Sequence, residues 1–352
     1  MVARTRVSTR IVGIDIARGL AVLGMYGAHV GVTEPLNFVD PSTWLDVVNG
    51  RSSILFALLA GVSIAILSGR TRPVDGADLR AARIRILVRA ILIFVLGIFL
   101  TSLDTRIAVI LPVYALLFVV ALPLLRVRPR WLFVAAGALA IVSPVLAVLV
   151  TNATPMRDPI TNLLLTGSYP AVIWIVFVLV GLGIGRLELE RPRVQLWVLA
   201  TGFVLAMLGY GLGVAANTAV QNSATPVRLD LTMLATTTPH SGSPFEVVGS
   251  TGFALAVLAL CLLAAPHARV VLYPLAAVGS MALSAYTAHV VIVSFIGDGA
   301  FERDDNALYL AFVVGALVLC TVWALTLGRG PLERVLTWVS TTAARPIRRA
   351  RT

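Results

Sequence analysis

The stretch GIDIARGLAVLGMYGAHV, residues 13–30, has the length and apolar content of a membrane-spanning helix, yet it carries Asp15, Arg18 and His29. Advancing about 100° per residue from Asp15 puts Arg18 near −60°, Val22 near −20°, Tyr26 near +20° and His29 near −40°. The polar side chains therefore share one stripe about 80° wide. Each charge alone would oppose insertion by about 2.5–3.5 kcal/mol at a helix centre. Pairing of Asp15 with Arg18, three residues apart, and burial of the stripe inside a bundle relieve that cost. The stripe runs about 21 Å along the helix and is expected to mark a path or a site. The plainer alternative has both charges reaching to one membrane interface and His29 to the other.

Composition supports a membrane setting. The 352 residues are 58% hydrophobic and only 13% charged, with mean hydropathy +0.93, whereas a soluble domain is closer to one quarter charged. Apolar runs at about 11–31, 50–69, 84–102, 107–125, 131–151, 169–187, 195–216, 247–265, 273–296 and 307–327 each approach the ~20 residues that a bilayer requires. The expected fold is an all-α polytopic bundle of about ten transmembrane helices, with a single transmembrane domain over 1–330 and a basic cytoplasmic tail over 331–352. Within that tail, Leu332, Val335, Leu336 and Val339 fall on one side of a possible surface helix. Small-residue runs, GLGIG at 181–185 and GYGLG at 209–213, suit close helix packing.

The net charge of +11 comes with 28 basic residues, all of them arginine. They cluster in connectors (70–85, 126–130, 185–193, 267–269 and the tail) that alternate with acidic or polar ones (34–46, 102–106, 151–159, 217–246 and 297–305). Sorted this way, 23 of the 28 lie on one side. The positive-inside rule then gives both termini in the cytoplasm, N-in/C-in. A nucleic-acid binder would instead gather its basic residues on a soluble face with aromatics between them, so no nucleic-acid partner is expected. The basic start, MVARTRVSTR, leads into the first span without a small-residue cleavage pattern, so that span is read as retained. Cys261 and Cys320 sit inside apolar runs without zinc spacing, and no metal is expected.

Other polar positions extend the candidate site. Arg51 opens the second span, where Asn49 or Ser52 is positioned to cap the helix. Helix-start N–H groups beside an arginine suit an anion or a developing oxyanion. The long connector before the eighth span contains TTTPHSGSPFEVVGSTG, in which His240 and Glu246 are candidates for a lid or a substrate contact. The ninth span, VGSMALSAYTAHVVIVSF, holds His289 with Tyr286 one turn earlier. His267, in an inner connector, reads as a solvated loop residue. Three of the four histidines thus map to the outer side, where imidazole is the natural base near neutral pH.

RIVGIDIARGLAVLGM resembles the opening motif of the heparan-α-glucosaminide N-acetyltransferase family and the related YeiB-like (DUF418) membrane proteins. There an Asp precedes an Arg-Gly by three residues and a Met follows; here these are Asp15, Arg18, Gly19 and Met25. GRSSILFALLAGVSIAI and GSMALSAYTAH resemble further stretches of that superfamily, and PHSGSPFEVVGSTG is similar to a segment of actinobacterial members. The resemblance implies a ten- or eleven-helix transmembrane acyltransferase fold. It also implies acetyl-CoA as acyl donor from the cytoplasm and a sugar as acceptor outside. In that family's lysosomal enzyme the proposed active histidine precedes a Ser-Trp in the first outer loop; here the loop reads DPSTWLD, with Pro41 and Ser42 in its place. His29 and His289 are the nearest substitutes.

The expected activity is therefore an integral-membrane acyltransferase. It would move an acetyl or other acyl group from cytosolic acyl-CoA to a hydroxyl or amine of an extracytoplasmic glycan or glycolipid. His29 is the expected base, with His289 and His240 as partners or acceptor contacts. Arg51, Ser52, Glu246 and Tyr286 are assigned to substrate and oxyanion, and Asp15, Arg18, Arg83 and Arg85 to the donor's phosphates. Membrane lipids and a homodimer partner are compatible with the chain. A transporter or flippase of a small anion or glycolipid is the alternative, with the polar stripe as its path, and a non-catalytic assembly partner is a third reading.

Overall fold

The structure, a computed structural model, describes residues 10–153, 158–223 and 229–345. The expected basic stretches at 1–9 and 346–352, and parts of two outer connectors, lie outside the described residues. Each of the ten expected apolar runs contains helix, and no strand occurs among the described residues. The helices are α1 (Val12–Val30), α2 (Arg51–Leu67), α3 (Gly76–Thr101), α4 (Leu111–Ala121), α5 (Pro129–Ala153), α6 (Ala171–Gly185), α7 (Pro192–Gln221) and α8 (Pro244–Ala264), followed by α9 (Tyr273–Ser280), α10 (Ala282–Ile296), α11 (Ala307–Thr326) and α12 (Pro331–Ala343).

Seven helical stretches are long and apolar enough to cross a membrane by length and composition, and Leu111–Arg126 and Ala171–Gly185 are shorter apolar helices. Helix α1, 19 residues long, is the tenth, and it carries an internal Asp–Arg pair. The chain is a multi-pass helical membrane protein.

Helices α1, α2 and α6, with half of α8, form the centre. Most of α2 is buried, whereas only 6% of the apolar window of α11 is. The peripheral helices turn large apolar side chains outward, such as Phe94 and Phe99 on α3, Trp197 and Phe203 on α7, and Leu319 and Leu325 on α11. In water such faces would drive association; in lipid they are the solvated side. Close backbone approaches hold the centre together. Gly181 lies on the Leu58 carbonyl and Gly209 on Gly249, as the small-residue runs predict. At the α1–α9 crossing, a Cβ on Gly279 would meet the Asp15 carbonyl.

One expectation changes here. The ninth run is broken, with α9 ending at Ser280 and α10 starting at Ala282. The exposed N–H groups of Leu283 and Ser284 donate to Glu333 Oε1 at 2.8 and 3.1 Å. Glu333 belongs to α12, so this helix is tied to the break through its carboxylate. Helix α12 packs on α3 and α10, because the carboxylate that ends the helix break is on it. Its amphipathic character is as expected, with Leu332, Leu336 and Val339 partly buried, although Val335 is exposed.

Candidate functional site

The polar stripe on α1 faces the bundle. Asp15 is 4% exposed and accepts from Arg18 at 3.0 Å and Arg10 at 2.5 Å. The Arg18 fork also donates to Ser63 of α2 at 2.8 Å. Around this knot lies a basin of 470 Å³, lined by Arg10, Arg18, Arg70, Arg85, Arg89 and Arg329 against only two carboxylates, Asp15 and Glu333. Arg70 is held bidentately by Glu190 at 2.7 and 2.8 Å. That bond and the neighbouring charge hold the Glu190 carboxyl below its usual range. The surplus of guanidinium groups gives this basin a positive character that suits an anion.

Arg83, assigned to the phosphates from sequence, is exposed and does not line the basin. Arg89 lines it instead. The physical reason is helical phase: Arg85 and Arg89 are four residues apart and share a face of α3, whereas Arg83 is two residues from Arg85 and points elsewhere. That spacing was available in the sequence.

From the basin a second, smaller chamber of 140 Å³ leads inward, with Arg18 and Arg89 at its mouth and Leu59, Leu111 and Phe118 on its walls. It ends at Phe56 and Tyr114, whose rings stack with centroids 5.7 Å apart. The Tyr114 hydroxyl donates to the Ser53 carbonyl at 2.9 Å.

Ser53 also lines a third cavity, of 220 Å³, at the opposite end of the bundle. His29 (α1), His240, Tyr169, Tyr286 (α10), Arg106 and the first turn of α2 (Gly50, Ser52 and Ser53) meet there. The stripe on α1 is thus not one continuous path. Its two ends reach separate chambers, and its middle, at Val22, is packed.

His29 and His289 stack with centroids 5.1 Å apart and planes 16° apart. His289 stacks in turn on Tyr26 at 4.5 Å, and Tyr26 is fixed by its hydroxyl donating to the Ala285 carbonyl at 2.9 Å. His289 therefore backs His29 rather than lining the cavity. Among the described residues, His29 Nδ1 and one ring nitrogen of His289 make no hydrogen bond, while the Ile110 backbone approaches Tyr286 Oη and the Tyr286 carbonyl approaches the His289 ring. Buried polar groups left unbonded are uncommon outside functional sites.

His240 reaches the cavity through a strained turn. Its φ is +62°, a left-handed conformation that costs a non-glycine residue of order 1 kcal/mol. Glu246 stabilises it: its carboxylate accepts from His240 N at 2.7 Å, Gly242 N at 2.6 Å and Ser241 Oγ at 3.1 Å. Ser243 caps α8 by accepting from Glu246 N at 3.0 Å, completing a Ser-x-x-Glu start. The sequence reading of Glu246 as a substrate contact gives way to a clamp, since its oxygens are committed to the loop. Burial lowers the pKa of His240, so its imidazole is neutral at pH 7. Its ring meets Tyr169 edge-on at 5.4 Å.

The cap of α2 also differs from expectation. Neither Asn49 nor Ser52 caps it; Gly50 does, at φ +69° and without a side-chain bond. The Pro239–His240 backbone lies against it, so that a Cβ on Gly50 would sit 3.1 Å from Pro239 Cβ. The helix start does face the cavity, but Arg51 does not. Its Nε donates to the Tyr210 hydroxyl at 2.8 Å, and its guanidinium lies 5.0 Å from that ring and 6.0 Å from Phe253. Arg106 is the arginine that lines the cavity, held by Asp298 at 2.9 Å and by Glu302 at 3.3 Å. His267 is an exposed loop residue, as expected.

A multi-pass bundle with an arginine basin at one end, imidazoles in a chamber at the other and a narrow partition between them is the layout of a membrane group-transfer enzyme. Residues 107–329, more than half of the chain, match the family model described as an acyltransferase domain; the chain belongs to that family and is a membrane acyltransferase. No curated protein matches it. The matched segment contains Tyr114, His240, Tyr286 and His289, while Asp15, Arg18 and His29 precede it.

Proposed function

We propose that the chain moves a short acyl group, acetyl in the first instance, from cytosolic acyl-CoA to a hydroxyl or amine of a glycan or glycolipid on the far side of a bacterial membrane. The observation that carries this reading is the pairing of a cation-rich basin with an imidazole-lined cavity at opposite ends of α1. The arginines of the basin suit the donor's phosphates, and Arg18 and Arg89 lead into a chamber whose apolar walls suit its arm. Positive-inside sorting puts that basin in the cytoplasm, with both termini. The resemblance of the first and second spans to heparan-α-glucosaminide N-acetyltransferases and YeiB-like proteins supports acetyl as the group and a sugar as the acceptor.

The acceptor attacks the thioester carbonyl while His29 takes its proton. The C–S bond breaks as the C–O or C–N bond forms, and the CoA thiolate leaves and takes up a proton. His29 can instead accept the acyl group first and pass it on. The α2 N-terminus, with Ser52 and Ser53, faces the oxyanion, and Arg106 is the nearest cation. The Phe56–Tyr114 layer has to part for the two ends to communicate. The Tyr114–Ser53 hydrogen bond opposes this by only about 0.5–1.5 kcal/mol.

The test is label transfer from radiolabelled acetyl-CoA to envelope glycolipid fractions by the purified protein in detergent. Loss of thioester with label in a glycolipid supports the reading. Thioester left intact, or solute movement only in sealed vesicles, overturns it in favour of a transporter.

A second expected outcome separates the basin from the surface. Arg89→Ala should raise the KM for acetyl-CoA about tenfold or more, the loss of one charge-assisted contact of about 1.5–3 kcal/mol, with little change in kcat. Arg83→Ala should leave both within about twofold, as surface charges are worth little. Equal effects at the two positions would remove the basin as the donor site.

A further inference from the structure

Helices α10 and α11 diverge to leave a membrane-facing groove of 440 Å³ that runs from Leu308 to Trp323, about 22 Å at 1.5 Å per residue. Its walls are Ile292, Phe312 and Leu319, but its floor is Tyr26 and His289. We propose that this groove holds the hydrocarbon chain of a lipid-linked acceptor and brings its hydroxyl-bearing head to the His289–His29 pair. The proposal rests on the acyltransferase reading above and adds the acceptor's chemical class and its route.

Three observations carry it. First, His289 is 1% exposed; one of its ring nitrogens approaches the Tyr286 carbonyl one turn back, and the other has no hydrogen-bond partner among the described residues. A buried polar group left unpaired costs about 1–3 kcal/mol. The tail of a bulk lipid, or an apolar helix from a second copy, offers the imidazole nothing; an amphiphile with a polar group at this depth does. Second, the His289 ring stacks on Tyr26, which also floors the groove, and on His29, which lines the outer cavity, so a single imidazole lies between groove and site. Third, the groove's outer end, Ile296 and Leu308, flanks the Gly297–Ala300 turn and Phe301, a residue of the cavity wall. A head group can therefore reach the cavity while its chain stays in lipid.

A larger groove of 550 Å³, between α5 and α7, serves as the control. It is lined by Phe133, Val180 and Trp197, includes no titratable side chain and shares no lining residue with the cavity. Each groove has one glycine, Gly315 or Gly137, where an added Cβ meets nothing within 4 Å. The first atom of a larger side chain is therefore accommodated at either position, and a tryptophan there is aimed at occupying its groove.

The experiment is photolabelling of the whole chain in phosphatidylcholine nanodiscs without acyl-CoA, which keeps it independent of turnover. The probes are hexadecyl glucoside and phosphatidylcholine, each with a mid-chain diazirine. Peptide mapping should show the glucoside labelling α10 and α11 at least about fivefold over phosphatidylcholine, more than 1 kcal/mol of preference. Gly315→Trp should abolish the excess and Gly137→Trp should keep it. Equal labelling by both probes means bulk lipid only and overturns the proposal. So does an excess confined to the α5–α7 groove, or chain-to-chain crosslinking through α11, which would assign the face to a second copy.

Discussion

His29→Asn is expected to lower acyl transfer by about 10²–10⁴-fold, the range for loss of a general base, while the thermal unfolding midpoint stays within a few degrees. The second half of that expectation follows from the structure. His29 is only partly buried and borders a cavity, and its Nδ1 bonds no residue of the bundle among those described, so asparagine leaves no broken network. His240→Asn should cost less, because its backbone N–H donates to Glu246 at 2.7 Å, and that bond, which sets the loop, survives the change of side chain. Steady-state transfer assays beside a thermal-shift measurement check both. If His29→Asn retains most of the activity and His240→Asn loses it, the base belongs on the loop and not on α1. If neither matters, the cavity is not where the chemistry occurs.

Arg186→Ala is expected to destabilise the protein by about 4 kcal/mol, a large effect for one side chain. Arg186 follows α6 and is 5% exposed. Its fork donates to the carbonyls of Ser68 at 3.2 Å, Arg70 at 2.8 Å and Leu125 at 2.5 Å, and to Ser68 Oγ at 2.9 Å. It thereby closes the end of α2 and the turn that follows α4, whose last carbonyls have no other partner in a helix. Burial pushes its pKa down to about 10, still far above neutral, so the charge persists. A hydrogen bond to a charged group contributes about 1.5–3 kcal/mol. These four are not additive; removing the donor takes the guanidinium from the Arg70 and Leu125 carbonyls, while the Ser68 carbonyl keeps Val74 N. Arg186→Lys should recover only part of the loss, since an ammonium cannot span the fork. Thermal unfolding in detergent, followed by tryptophan fluorescence, reads the effect. A shift no larger than that of a surface arginine such as Arg83 would show that water or lipid headgroups replace the fork.

The residues on which the class depends were legible as sequence. Asp15, Arg18 and His29 on one face of an apolar helix required a bundle around them, because lipid offers no partner for a charge. The three outer histidines followed from alternation of the connectors, and two of them do meet at one cavity with the third stacked behind. Arg89 was legible but missed, since the four-residue spacing from Arg85 was on the page.

Other features could not be read in advance. Arg51 looked like an oxyanion contact, yet Tyr210, 159 residues away, turns it aside. Arg106 stood in a short connector with nothing local to aim it. Glu246 became a clamp because the loop before α8 folds back on its N-terminus. The break in the ninth run is stabilised by Glu333, which arrives from a segment that composition alone reads as a tail.

The sequence by itself determined the solvent, the all-helical class and which helix had to be buried, because those depend on transfer free energies that accumulate residue by residue along the chain. Only the tertiary structure decided which arginine faces which chamber, where the partition falls and which imidazole is open to the cavity. Those depend on contacts between residues far apart in the chain, and periodicity within one helix carries no information about what the next helix presents to it.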